Sequence, residues 1–184
     1  GLSVLGKRVP SSGLLAWAFI VISLGQRSVN AVTDYGLHLR IMLDNDIRIA
    51  RFIGQTGVSS VALHNIGVAS WIHDEVNILD VAGLASNEVC QLHLDHQLSG
   101  TTIATFVNAE NVELAAFDQG WLPDDMPANL LPLGSLTFPL GDRNTTATTK
   151  LWVGPSGSIG SLQAGIRSAA AQPDEGIVWT LSPN

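Results

Sequence analysis

Three strand-ending positions carry the polar residues best placed for chemistry. Within residues 58–89, VSSVALHNIGVASWIHDEVNILDVAGLASNEV, one apolar run leads to Asn65 before Gly67, and a second contains Asp80 before Gly83. A third run, VELAAF, is followed by Asp118. Ligands of α/β sheets bind beyond the C-terminal ends of strands, so Asn65, Asp80 and Asp118 could face one crevice and hold hydroxyl groups. Trp71 and Trp121 could add flat apolar surfaces for a sugar ring. Each residue also has a plainer reading. Asp and Asn commonly bond their own backbone in turns, and Trp commonly packs in a core or against lipid.

Other chemistry-bearing patterns are weaker. His93 and His96 in HLDH could share a helix face, but no HExxH pattern and no Cys/His partner at ligand spacing accompanies them, so a solvated helix face is the better reading. Gly154–Gly160, GPSGSIG, lacks both the GK[ST] ending of a phosphate loop and the GxGxxG order, and reads as a flexible loop. His64 and His73 are isolated turn residues, and no GxSxG nucleophile turn occurs. Asn144-Thr145-Thr146 is a glycosylation sequon, meaningful only in a secreted eukaryotic domain. The single Cys90 excludes an internal disulfide framework and reads as a buried thiol. No catalytic residue, metal ligand or cofactor site is assigned from these patterns.

Composition narrows the setting. The 184 residues are 46% hydrophobic with a mean hydropathy of +0.26, and only 14% are charged, against roughly 25% in ordinary soluble domains. Such a chain can bury a sizeable core, and contact with a membrane or a larger apolar partner is expected. The charge is split: residues 1–54 carry six cations against three acids, and residues 55–184 carry three against thirteen. An acidic body argues against nucleic acid, whose phosphates need a positive surface. A basic, apolar head on an acidic body suits a membrane-proximal segment joined to a separate domain, giving two regions, 1–30 and 31–184.

Residues 9–26, VPSSGLLAWAFIVISLGQ, carry no charge. As a helix they would span about 27 Å, near the roughly 30 Å hydrocarbon thickness. A transmembrane helix is the leading reading; a signal peptide and a buried helix remain open, the former weakened by a poor cleavage site at Gln26-Arg27-Ser28. Lys7 and Arg8 before the span lean toward a cytoplasmic N-terminal side, with the acidic domain outside. The chain begins at Gly1, and further membrane helices upstream are expected.

The elements that position the polar residues follow from hydrophobic period. Residues 34–55 read as an amphipathic helix with Leu39, Met42, Leu43, Ile47, Ile49, Ala50 and Ile53 on its apolar side and Arg48 and Arg51 on its wet side. Strands are expected at 58–64, 76–81 and 112–117, with helices at 68–72, after Ser86, and at 101–108. Residues 135–138 and 148–153 alternate like a hairpin; a helix at 161–171 and a closing strand at 177–181 follow. The fold class is α/β: three layers, a mostly parallel sheet with helices on both faces, antiparallel strands near the C-terminal end, and an apolar, transmembrane helix in front.

The motif order VALHNIGVASW, NILDVAGLASNEV and ENVELAAFDQGWLP after an apolar helix resembles the C-terminal extramembrane part of polytopic GT-C type glycosyltransferases and related bacterial multi-spanning membrane proteins. The likeness covers about residues 14–153 and rests on Asn65, Gly67 and Trp71, on Asp80, Gly83 and Leu84, and on Trp121-Leu122-Pro123. It departs at Asn65, where the family commonly has an acid, and at Trp71, where Tyr is common. The resemblance implies an accessory domain of an enzyme that moves sugars from a lipid-linked donor, sited in a bacterial inner membrane with the domain facing the periplasm or exterior. Its partners would be the bilayer, the upstream helices and a glycan acceptor. The family's catalytic acid lies in a loop that nothing here matches, so the chemistry would lie elsewhere. The alternative is a non-catalytic, membrane-tethered interaction or structural domain.

Overall fold

The computed structural model describes residues 11–121, 130–140, 145–172 and 176–183, with side chains from residue 17 onward. Leu122 and Pro123 of the aromatic turn and Asn144 of the sequon lie outside them. The chain divides into two compact units, Gly1–Leu39 and Arg40–Asn184.

The first unit is made chiefly by helix α1, Ser11–Ile41. Trp17, Phe19, Val21, Ile22 and Leu24 are exposed on it, and so are Val29, Val32 and Tyr35 further along. The expected membrane span gains no support. The helix runs on through Gln26, Arg27, Asn30 and Asp34, whose polarity dilutes it. Among the described residues no helix is long and apolar enough to cross a membrane; Val9 and Pro10 of the expected span lie outside those residues.

The second unit begins with a π turn, Met42–Asp46, and helix α2, Ile47–Thr56, which ends at Gly57 in the left-handed conformation (φ 67°). The sequence LDND explains the irregular turn: Asp and Asn compete for helix hydrogen bonds and tolerate other backbone geometries. It also overturns part of the expected amphipathic face. Leu39, Met42 and Leu43 are exposed, whereas Asn45 is buried in a core-facing position. Beyond the turn the 3.6-residue period holds, with Ile49, Ala50, Phe52 and Ile53 buried.

The remaining elements are β1 Ser60–Leu63, α3 Gly67–Ile72, β2 Asn77–Asp80, α4 Asn87–Leu94, α5 Gly100–Ala109, β3 Leu114–Asp118, β4 Leu131–Leu140, β5 Thr145–Val153, α6 Ile159–Ala170 and β6 Val178–Leu181. Six strands form one sheet in the order β2-β1-β3-β5-β4-β6. β1 pairs in parallel with β2 and β3; the pairings β3–β5, β5–β4 and β4–β6 are antiparallel. The sheet is therefore mixed, not mostly parallel. Residues 141–144 connect β4 to β5, too short a link for a parallel crossover. Pro132 and Pro139 hid the length of β4 in the sequence, since proline inside a run argues against a strand. Both flank the stretch Gly134–Thr137 that also pairs with β6, and a bulge between Pro132 and Gly134 absorbs one residue.

Alternation along the strands divides the core. Val61 and Leu63, Leu114 and Ala116, and Leu151 and Val153 join the buried residues of α2, α3 and α6 in one cluster. Ala62, Ala115, Phe117 and Trp152 join Ile103 and Val107 of α5 in another. Gly165 lets α6 close on α2: a β-carbon there would lie 2.5 Å from Thr56 Cγ2. The Gly154 loop is anchored at its start, where Gly154 is buried against the Val112–Glu113 backbone, while Pro155, Ser156 and Ser158 are exposed. The Gly154 N–H donates to the Glu113 carbonyl, and the Ser156 hydroxyl donates to the Asn111 carbonyl.

Candidate functional site

The parallel strands β1 and β3 end side by side, Leu63 opposite Ala116. His64 follows β1 directly, and Asp118 closes β3 opposite Thr149 of β5. The π turn brings Asn45 and Asp46 to the same place. The Asn45 Nδ2 donates to Asp46 Oδ1 at 3.2 Å and to Asp118 Oδ1 at 3.1 Å, so one amide bridges two carboxylates. The Thr149 hydroxyl donates to Asn45 Oδ1 at 2.7 Å and also lies against Asp118 Oδ1. With a single proton, it serves one of those oxygens at a time. His64 Nε2 meets Asp118 Oδ2 at 3.1 Å, and the exposed Asn65 reaches Asp46 Oδ1 at 3.4 Å.

Trp121 closes the cluster on one side. Its backbone N–H donates to the Asp118 carbonyl at 3.0 Å, a turn that folds the indole back over β3. The ring stacks on His64 with centroids 5.2 Å apart and also touches Phe117 and His93. His64 is buried, and its Nδ1 has no hydrogen-bond partner among the described residues. A buried nitrogen left in that state costs about 1–3 kcal/mol.

The two carboxylates are driven apart. Burial, with the Asp118 charge added, pushes Asp46 up from 3.8 to about 6; His64 and the Asn65 amide offset only part of that. Burial also acts to raise Asp118. Hydrogen bonds from His64 and Thr149, the His64 charge and the Asn45 amide outweigh it and hold Asp118 below the usual value. At neutral pH the cluster thus presents an anchored anion beside a carboxyl that changes state just below neutrality.

No protein-family model matches the chain, nor does any curated protein or solved structure. The site is therefore read from its own geometry.

Of the residues singled out in the sequence, the fold gathers Asn65, Asp118 and Trp121 around this cluster. Asp80 ends β2 opposite Leu63, but its oxygens are engaged in its own turn. They accept the N–H groups of Ala82 and Gly83 at 2.9 and 3.1 Å, and those of Ala85 and Ser86. Gly83 makes that turn possible with φ 79°, and a β-carbon there would lie 2.6 Å from the Cys90 nitrogen. Trp71 stands 87% exposed on α3, and none of the cluster's contacts involves it. His93 and His96 are exposed at and just beyond the end of α4, where His93 also meets Trp121; among the described residues no group of three His, Cys, Asp or Glu could hold a metal ion. Asn45, Asp46 and Thr149 were not singled out, and His64 was read only as an isolated turn residue. LDND inside an apolar helical period was the available signal for the first two, and no local pattern marks Thr149.

Proposed function

We propose that this chain is a C-terminal accessory domain of a GT-C type, lipid-linked-sugar-dependent membrane glycosyltransferase, and that its strand-end cluster holds the hydroxyl groups of a glycan acceptor. The observation that carries this reading is the array of Asp46, Asn65 and Asp118 beside the ring of Trp121. Carboxylate and amide oxygens accept hydrogen bonds from sugar hydroxyls, and an indole face covers the apolar side of a pyranose. The motif resemblance supplies the family context. The exposed apolar residues of α1 support contact with lipid or with neighbouring membrane helices, with the domain outside the inner membrane of a bacterium. Bond making is assigned to a part of the protein other than this chain. The test is an NMR titration of the 184-residue chain with neutral oligosaccharides. Saturable shifts at Asn65, Asp118 and the Trp121 indole are expected; shifts confined to other regions would sink the proposal.

One observation favours a second reading, a non-catalytic structural or interaction domain tethered at a membrane. Asn45 and Thr149 are buried, and their polar atoms are engaged within the protein. That is how a polar network fastens a helix to a sheet. On this reading the cluster governs stability alone, and no oligosaccharide perturbs it.

A further inference from the structure

A second concave site lies on another part of the domain. Arg48, Arg51 and Gln55 of α2 line it together with Phe52, Gln172 and Trp179, around a cavity of about 50 Å³. The spacing explains the first three: positions 48, 51 and 55 fall three and four apart, so their side chains share one helix face. Trp179 of β6 packs on Phe52 with ring centroids 5.2 Å apart, which gives the site a rigid apolar wall. Two arginines and two glutamines thus line one cavity beside a packed aromatic pair, in a chain of net charge −7.

From this geometry we infer that the Arg48–Arg51 cavity binds a phosphate group. Guanidinium groups present planar forks of N–H donors that match phosphate oxygens, and the amides of Gln55 and Gln172 can add neutral donors. Each guanidinium has five N–H donors, so Arg48 can keep its contacts within the fold and still share one. The size selects the ligand class. A pocket for a nucleotide or a sugar ring measures about 300 Å³ or more, and this one accommodates a single tetrahedral anion with the rest of its molecule outside. The phosphate could belong to a lipid headgroup or to a soluble phosphate ester; recognition at the cavity is the same for both. The site uses none of the strand-end residues, so its fate and that of the acceptor site are separable.

The test uses the full 184-residue chain and its Arg51→Gln variant. Arg51 is exposed on α2, so the variant should keep the fold, and an unchanged thermal transition will show it. Sodium phosphate is titrated against sodium chloride at equal ionic strength while the Trp179 indole and Arg51 Nε resonances are followed, with Trp179→Phe assigning the indole. A saturable shift with phosphate, absent with chloride and weakened about tenfold or more in Arg51→Gln, is expected for loss of one charge-assisted hydrogen bond. No saturable shift, an equal shift with chloride, or an undiminished affinity in Arg51→Gln would each overturn the inference. Phosphatidylcholine vesicles with and without phosphatidic acid then separate the two sources. If phosphatidic acid strengthens vesicle binding of the parent chain but not of Arg51→Gln, the ligand is a lipid phosphate. If only free phosphate shows the Arg51 dependence, it is a soluble ester.

Discussion

Replacing Asp46 by Asn should stabilise the domain at alkaline pH and leave it nearly unchanged at acid pH. Asn keeps an oxygen for the Asn45 and Asn65 amides to bond, while removing the charge that burial and Asp118 disfavour. The sign follows from proton counting. Asp46 titrates at about 6 when folded, against 3.8 ordinarily, so between those values the folded state binds more protons than the unfolded state. The resulting stabilisation is fully present below pH 3.8 and is lost as pH rises through about 6. A displacement of that size corresponds to about 3 kcal/mol at most, and partial solvent exposure of the carboxyl reduces it to about 1–2 kcal/mol. The assay is urea unfolding of both proteins from pH 4 to pH 8 with the m-value held as a control. The two stability curves should lie close together at pH 4 and separate by about 1–2 kcal/mol by pH 8, with Asp46→Asn the more stable. Parallel curves over the whole range, or a less stable Asp46→Asn at pH 8, would refute the electrostatic account. Asp118 works in the opposite sense: its lowered value gives stability that is present above 3.8 and lost as pH falls through the folded value.

Three further substitutions probe parts of the fold that place the site. Asp80→Ala removes the acceptor of four backbone N–H groups and should lower unfolding free energy by about 2–3 kcal/mol, while leaving any oligosaccharide shifts at Asn65 and Trp121 in place. Gly165→Ala puts a β-carbon 2.5 Å from Thr56 Cγ2 and 3.0 Å from Phe52 Cε2; forced separation of α6 from α2 should cost about 1–3 kcal/mol in the same assay. Ser99→Ala breaks the reciprocal cap with Thr102 at the start of α5 and should cost about 1 kcal/mol, seen as faster amide exchange in the first turn of that helix.

The local elements were legible because their signals are local. The strands expected at 58–64, 76–81 and 112–117 became β1 Ser60–Leu63, β2 Asn77–Asp80 and β3 Leu114–Asp118, and Ser86 caps the helix expected after it. Asn65, Asp80 and Asp118 were expected to face one crevice if their strands paired in parallel; β1 does pair in parallel with β2 and β3, but only Asn65 and Asp118 join the cluster. The failures come from contacts distant in sequence. Thr149 enters the cluster only because β5 inserts between β3 and β4, a choice made by packing and not by any residue near 149. Met42 and Leu43 were expected on the apolar side of one continuous helix; at the π turn they are exposed and Asn45 is buried instead. Such turns are frequent at functional sites, and here the turn contributes both the bridging amide and the raised carboxyl.

Whether the cluster binds or only braces is decided by two residues that differ in depth. Asn65 is exposed at its rim and makes one long hydrogen bond, at 3.4 Å. Thr149 is buried at its base and holds Asn45 and Asp118 together. Asn65→Ala should change stability by no more than about 0.5 kcal/mol, as surface substitutions do. Thr149→Val keeps the volume but leaves Asn45 Oδ1 without its donor, at a cost of about 1–3 kcal/mol. It also removes one of the hydrogen bonds that hold Asp118 low, so that carboxyl should titrate at higher pH, readable by carbonyl NMR. If the site takes a glycan, Asn65→Ala weakens oligosaccharide binding although the fold is intact. If it only braces, Asn65→Ala is silent in every assay and Thr149→Val alone has an effect. A rim substitution that loses binding at unchanged stability cannot arise from bracing, so this pair separates the two readings even though both concern the same cluster.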